Sequence, residues 1–176
     1  TNGIQALDLV GRKMGMKKGT YFMTLLGEMG ATVARYQGVE AVKDLAADVS
    51  AGVNALADMG MFFASCGKQG KFLVPVGNAY PFLMMMGKIV CAWLLFWQAG
   101  IAQEKLGALC KAKGVNAADP FALAPFLKEN KDAAFYDGKV KSAKYFIKNV
   151  LPEVDAVVKA IKSEDLSMME IADEGF

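Results

Sequence analysis

Histidine is absent from all 176 residues. Its absence removes the commonest general base, the commonest zinc ligand and every Ser–His or Cys–His nucleophile pair. Cysteine is scarce: Cys66, Cys91 and Cys110 are odd in number, far apart and set among apolar or small neighbours. No zinc or redox spacing results, so they read as reduced, mostly buried thiols of a cytoplasmic protein. An excess of one charge is also missing, because 20 basic side chains face 18 acidic ones for a net charge of +2. That balance gives no warrant for nucleic acid or an anionic membrane as the main partner. No segment sustains the two-residue alternation of a strand, and none of the 18 glycines forms a phosphate-cradling turn between strand and helix.

What is present is apolar and helical. Hydrophobic residues make up 54% and charged residues 22%, which excludes disorder as a whole-chain description. A chain of this length fits one domain, or one domain with a piece of another, and buries roughly 70% of its unfolded surface. A first helix is expected over Ile4 to Lys13, closed near Gly15 by a left-handed cap, and a second over Tyr21 to Arg35 with Phe22, Leu25, Leu26 and Met29 on one face. After Gly38 a third runs to Cys66. Val42, Leu45, Val49, Leu56, Met59 and Phe63 follow the spacing of a bundle seam, with Gly52 at the missing position. Residues 67–78 read as a loop. Asn78 then caps a fourth helix that tolerates Pro81 in its first turn and reaches Lys113. Pro120 and Pro125 make Asp119 to Asn130 a turn with at most short helical pieces. The fifth helix spans Lys131 to Ser163, its stripe of Ala143, Phe146, Val150, Val154, Val157 and Ile161 kinked or split near Leu151 by Pro152. Four long helices on short loops predict an all-α antiparallel four-helix-type bundle, preceded by one helix that belongs elsewhere.

Tyr80 to Ala102 is apolar enough to suggest a membrane span of marginal length. Lys88 near its middle, the prompt Gln98 and Gln103-Glu104-Lys105, and the lack of a partner segment point instead to the centre of a bundle, apolar all round. Met84, Met85 and Met86 suit irregular core gaps.

Catalytic constellations are hard to find. Asp44, Asp48 and Asp58 lie along the third helix and read as its solvated face. Glu28 and Asp58 sit in partly apolar surroundings without any sign that they meet. Ser65, Cys66 and Lys68 lack an activating base.

The opening, Thr1-Asn2-Gly3-Ile4-Gln5-Ala6-Leu7-Asp8-Leu9-Val10-Gly11-Arg12-Lys13-Met14, resembles the stretch just after the catalytic Glu-Gly of flavin-dependent acyl-CoA dehydrogenases. Tyr80-Pro81-Phe82-Leu83, Gly87 through Trp93 with Gln98-Ala99, Phe135-Tyr136-Asp137-Gly138-Lys139, Ala143-Lys144-Tyr145-Phe146 and Val150-Leu151-Pro152 are similar to the extra C-terminal helical domain of one branch. That branch takes short-chain or unusual acyl-CoA substrates and includes the methylmercaptopropionyl-CoA enzyme. Between Lys43 and Val74 the likeness is loose. The resemblance implies a fragment of a longer enzyme, with no catalytic residue of its own and the base just upstream of Thr1. It implies residues 1–18 as the end of the catalytic domain and 19–163 as the helical bundle, while the residues from 164 to 176 read by themselves as a short acidic tail in which Leu166, Met168, Met169 and Ile171 are expected to dock. It further implies FAD in the full enzyme, with Thr1, Asn2 and Gly3 as flavin-side contacts and Gln5 a weaker one. At Gly3 many members carry glutamine. A bare helix cap at Thr1 and Asn2 is the alternative.

Partners implied are an acyl-CoA, an electron-transfer acceptor, the dehydrogenase body and a second copy in a homo-oligomer, without nucleic acid or membrane. The alternative reading is a stand-alone helical scaffold without catalysis. Phe62, Phe63, Phe72, Leu73 and Phe82 are expected to form an apolar docking patch.

Overall fold

A computed structural model describes residues 3–175. These residues form eight α-helices and no strand. The helices are α1 (Ile4–Asp8), α2 (Thr20–Tyr36), α3 (Lys43–Lys68), α4 (Leu73–Gly77), α5 (Ala79–Lys113), α6 (Pro120–Glu129), α7 (Lys131–Asn149) and α8 (Glu153–Lys162). Helix α5 is the hub, touching α1, α2, α3, α4, α7 and α8. Helix α3 and the α7–α8 pair run antiparallel to it, whereas α2, whose final Tyr36 meets Phe96 and Gly100 well along α5, runs parallel. Phe82, early in α5, meets Phe63, late in α3, with ring centroids 5.0 Å apart, while Ile89 and Leu151 close over Gly52. On the other side Lys88 pairs with Glu153 at the head of α8, and Gln98, Ile101 and Ala102 lie beside Phe135 and Lys139. The antiparallel bundle expected from the helix pattern is thus formed by α2, α3, α5 and the α7–α8 pair.

The main core joins Met29, Val33 and Tyr36 of α2, Val49, Leu56, Met59 and Phe63 of α3, Phe82, Met85, Ile89 and Phe96 of α5, and Ile147, Val154 and Ile161 of α7–α8. Each such fully buried side chain stabilises the fold by roughly 1.5–3 kcal/mol relative to exposure. A smaller satellite gathers Leu106, Cys110 and Ala133 under Leu123, Phe126 and Leu127 of α6. Gly52 does fill an apolar position of the α3 seam, because a Cβ there would stand 3.3 Å from Leu151.

Several local expectations give way to packing and hydrogen bonding. The first helix is α-helical only to Asp8 and then widens into a π turn over Leu9–Lys13. Gly15 is right-handed, with φ −84°. The reversal falls later, where Lys17, Lys18 and Gly19 take φ of 51°, 58° and 83°. Left-handed lysines cost roughly 1–2 kcal/mol each. Thr20 secures the turn by donating its hydroxyl to the Lys17 carbonyl at 2.7 Å.

Residues 67–78 are not wholly loop, since they contain α4. Asn78 does not cap α5 with its side chain but donates its amide backwards to the Val74 carbonyl at 2.9 Å, tying α4 to α5. The stretch from Asp119 to Asn130 is a full helix. Asp119 accepts from the Phe121 N–H, Pro120 occupies the first helical position, and Pro125 is carried inside. Proline there removes one hydrogen bond, and the apolar side of α6 holds it against the satellite core. The fifth helix divides at Pro152 into α7 and α8, as its pattern indicates.

Helix α5 departs from the all-round burial expected of it. Phe82, Met85, Ile89, Ala92, Phe96 and Ala99 are buried, whereas Tyr80, Met84, Leu94, Trp97 and Ile101 are exposed. By length and composition alone, α3 and α5 could each cross a membrane. In this fold their apolar faces close on one another. The tail turns at Glu164, φ 56°, and docks. Glu164 meets Lys71 at 2.5 Å, and the methyls of Met168 and Met169 cover Gly77. The hydrogen bond to Glu164 raises Lys71 above its ordinary 10.5, so this attraction holds below that range and lapses as pH rises through the lysine's folded value.

Two glycines of α5 separate packing from propensity. A Cβ on Gly100 would enter the Tyr36 ring, whereas one on Gly107 meets nothing within 4 Å. Gly100→Ala is expected to cost about 1–3 kcal/mol through overpacking, and Gly107→Ala to add about 0.5–1 kcal/mol through helix propensity. Urea unfolding followed by circular dichroism measures both. Cys66 and Cys110 are buried, and burial pushes both thiols up from the ordinary range. In a Cys91→Ser chain, neither should react with a disulfide reagent until guanidinium unfolds the protein, and a fast native reaction at either would contradict this packing.

Candidate functional site

Thr1 and Asn2 lie outside the described residues. Gly3, the third flavin-side candidate, stands at the head of α1 with φ 74° and ψ 11°, and no heavy atom lies within 4 Å of the place a Cβ would take. That left-handed conformation suits glycine and would strain a glutamine. Gln5 is exposed on the same turn. Helix α1 runs directly into the π turn over Leu9–Lys13. The described residues supply an open backbone position and not a closed flavin pocket. Just behind it, Asp8 accepts two bonds from the Arg12 guanidinium at 2.6 and 2.9 Å. Those bonds hold the Asp8 carboxyl below the usual carboxylate range and raise Arg12.

Among the described residues, the other groups singled out by pattern do not come together. Glu28 and Asp58 are both exposed, and Asp58 faces Lys162 at 3.9 Å. The Ser65 hydroxyl accepts from the Gln69 amide at 2.9 Å, while Cys66 is buried behind it. Among the described residues no group of histidine, cysteine and carboxylate side chains could hold a metal ion.

An apolar cleft of about 500 Å³ opens where residues 10–19 meet α2 and α3. Val10, Met14, Phe22, Leu26 and Phe63 line it, with Lys18 beside the left-handed turn. Gly60 makes room for it, since a Cβ there would sit 2.7 Å from the Phe22 ring. The cleft offers surface for an apolar partner, with the Lys18 amine the ionisable group in its lining. Residue pattern alone misses it, because its shape depends on the turn at Lys17–Gly19 and on one absent Cβ. A smaller cleft of about 140 Å³ sits near the Asp48–Lys148 ion pair, whose atoms are 2.6 Å apart. Another of about 220 Å³ lies between α5 and α7.

The expected five-residue docking patch is divided by the fold. Phe63 and Phe82 belong to the core, Phe62 is partly buried against it, and Phe72 and Leu73 are exposed. Helical periodicity turns Phe63 toward α5, where burial is worth more than exposure to a partner. Cys91 is exposed, not buried with the other two cysteines.

Residues 25–172 match the family model described as "Acetyl-CoA dehydrogenase C-terminal like". The chain is 30% identical over 176 residues to a butyryl-CoA dehydrogenase of Syntrophomonas wolfei subsp. wolfei, covering 99% of this chain and 25% of that protein. A second butyryl-CoA dehydrogenase of the same organism is 27% identical over 178 residues, covering 100% of this chain and 26% of its own length. The broad-specificity linear acyl-CoA dehydrogenase FadE5 of Mycobacterium tuberculosis is 28% identical over 182 residues, covering 100% and 27%. The chain thus spans about a quarter of the length of the curated relatives it matches. An all-helical bundle among the described residues, matched over most of the chain's length by one family model, belongs to the acyl-CoA dehydrogenase C-terminal family.

Proposed function

We propose that this chain serves as the C-terminal helical domain of a flavin-dependent acyl-CoA dehydrogenase, an oxidoreductase of fatty acid metabolism that works in the cytoplasm as a homo-oligomer. The observation that carries this reading is the match of almost the whole chain to the C-terminal quarter of acyl-CoA dehydrogenases. In such an enzyme FAD supplies the hydride acceptor for α,β-desaturation of the thioester. Thr1, Asn2 and Gly3 then stand on the flavin side, with the open backbone at Gly3 admitting close approach. The catalytic carboxylate comes from ahead of Thr1, and electrons pass on to a separate acceptor.

Within that enzyme the work of these residues is packing. The boundary falls at the left-handed Lys17–Gly19 turn: residues 1–18 complete the catalytic domain, 19–163 form the bundle and 164–176 the tail. The cleft of about 500 Å³ straddles this boundary, and an apolar element of the dehydrogenase body filling it would bury Met14, Phe22 and Met23. Burial of this kind excludes water and fixes the bundle on the body.

Two measurements test the proposal. The isolated chain should desaturate no acyl-CoA when FAD and an artificial electron acceptor are added, whereas the longer enzyme should. In that longer enzyme the Lys17–Lys18 bond should resist trypsin at a rate at least ten times slower than in the isolated chain, because the body covers the turn. Release of the bundle without loss of activity or assembly would overturn the packing role.

A further inference from the structure

The segment that follows α8 grips α4 at both ends. Ahead of the helix, the Lys71 amine meets Glu164 at 2.5 Å. At the far end the side chains of Leu166, Met168 and Met169 close over Gly77, the last residue of α4. A Cβ there would stand 3.1 Å from the Met168 methyl, 3.2 Å from that of Met169 and 3.7 Å from a Leu166 methyl. The turn that presents them is built locally. Asp165 accepts from the Ser167 N–H and hydroxyl, and the Met169 N–H donates to the Leu166 carbonyl. Met168 is 47% exposed and Met169 43%, so both hold an apolar contact while open to solvent. We propose that residues 164–169 form an oxidation-sensitive latch on α4, with Met168 and Met169 as modification sites for a hydroperoxide.

What lies beneath the latch gives it a consequence. Cys66 and Val74 are each 2% exposed, yet neither belongs to the main core or to its satellite. Their cover is local. Lys71 donates its N–H to the Cys66 carbonyl at 2.9 Å, and its amine carries the ion pair with Glu164. Burial and the nearby Glu164 charge together raise the Cys66 thiol above its ordinary range. Helix α4 also lends Pro75 to the wall of the cleft of about 500 Å³ and touches residues 9–13. Opening of the latch therefore loosens α4, uncovers Cys66 and reaches one wall of that cleft.

In the opening step a thioether sulfur attacks one oxygen of the peroxide. The O–O bond breaks as the S–O bond forms, and the sulfur gives up two electrons. The proton passes to the departing oxygen, which leaves as water, or as an alcohol from an organic hydroperoxide. The product is a polar, chiral sulfoxide, and keeping its oxygen against the Gly77 backbone costs desolvation without a donor to repay it. Met23 and Met61 are more exposed, but they line the open cleft, where a sulfoxide stays hydrated and parts no two elements. The inference rests on the tail and α4 alone and needs neither flavin nor catalysis. Its failure would leave the C-terminal-domain assignment untouched.

Thiol labelling of the 176-residue chain carrying Cys91→Ser tests it, once circular dichroism has verified full helix content. Hydrogen peroxide is applied and removed, and dithiothreitol, removed in turn, restores any oxidised thiol while sparing sulfoxides. Peptide mass spectrometry locates the added oxygen. Oxidation at Met168 and Met169 should speed the reaction of Cys66 with a disulfide reagent about tenfold or more and leave Cys110 unchanged. Met168→Gln with Met169→Gln should do the same without peroxide. Met168→Leu with Met169→Leu should keep Cys66 closed after peroxide, although Met23 and Met61 are still oxidised. The proposal is overturned if Met168 and Met169 resist peroxide while Met23 and Met61 react. It is equally overturned by a Cys66 indifferent to their oxidation, by a Met168→Leu, Met169→Leu chain that opens as readily, or by an equal rise at Cys110, the mark of general unfolding.

Discussion

The packing of α3, α2 and the α7–α8 pair onto one stripe of α5 is the contact on which everything else in this molecule depends. Phe82, Met85, Ile89, Ala92, Phe96 and Ala99 make that stripe, and each is essentially removed from water. Large and small residues alternate along it. Ala92 and Ala99 let neighbouring helices approach, and Gly100 leaves the space that the Tyr36 ring occupies. Tyr36 also meets Phe96 edge to face, with centroids 6.2 Å apart, so α2 is located along α5 by shape as well as by area. A change of one methyl group at this crossing is felt across three helices.

Chemistry is correspondingly thin. The ion pairs are surface pairs: Asp8 with Arg12, Glu40 with Lys43, Asp48 with Lys148, Asp137 with Lys141. Pairs of this kind contribute about 0–1 kcal/mol each. The shifted groups among them report local hydrogen bonds, as at Lys43 beside Glu40, and not a poised acid or base. The fold presents two apolar surfaces on different sides of the hub. One is the cleft against residues 10–19, and the other is the outer stripe of α5.

These surfaces exist because the helices are more apolar than their own bundle requires. Helix α5 offers a second face that the described residues leave open, and α3 carries Met61 exposed at the cleft rim. Water-facing apolar stripes of this length are costly unless something covers them.

Much was legible in the amino-acid pattern. Helical period and the absence of strand alternation determined an all-α chain, the seam of α3 with Gly52 in it, the extent of α5 and the division at Pro152. The missing histidine removed the arrangements that depend on an imidazole. Local signals failed where long-range contacts outweighed them. Pro125 did not prevent α6, because Asp119 caps it and the satellite core holds its apolar side. Asn78 turned back to Val74 instead of capping forward, since α4 lies against the tail and needs a tether. Gly15 looked like the cap, yet Thr20 and the approach of α2 to α3 moved the reversal to two lysines. Which of the five aromatic and leucine residues in the expected patch would stay outside was likewise decided by helix rotation. A linear pattern states which residues prefer to leave water, and only the tertiary arrangement decides which of them have somewhere to go.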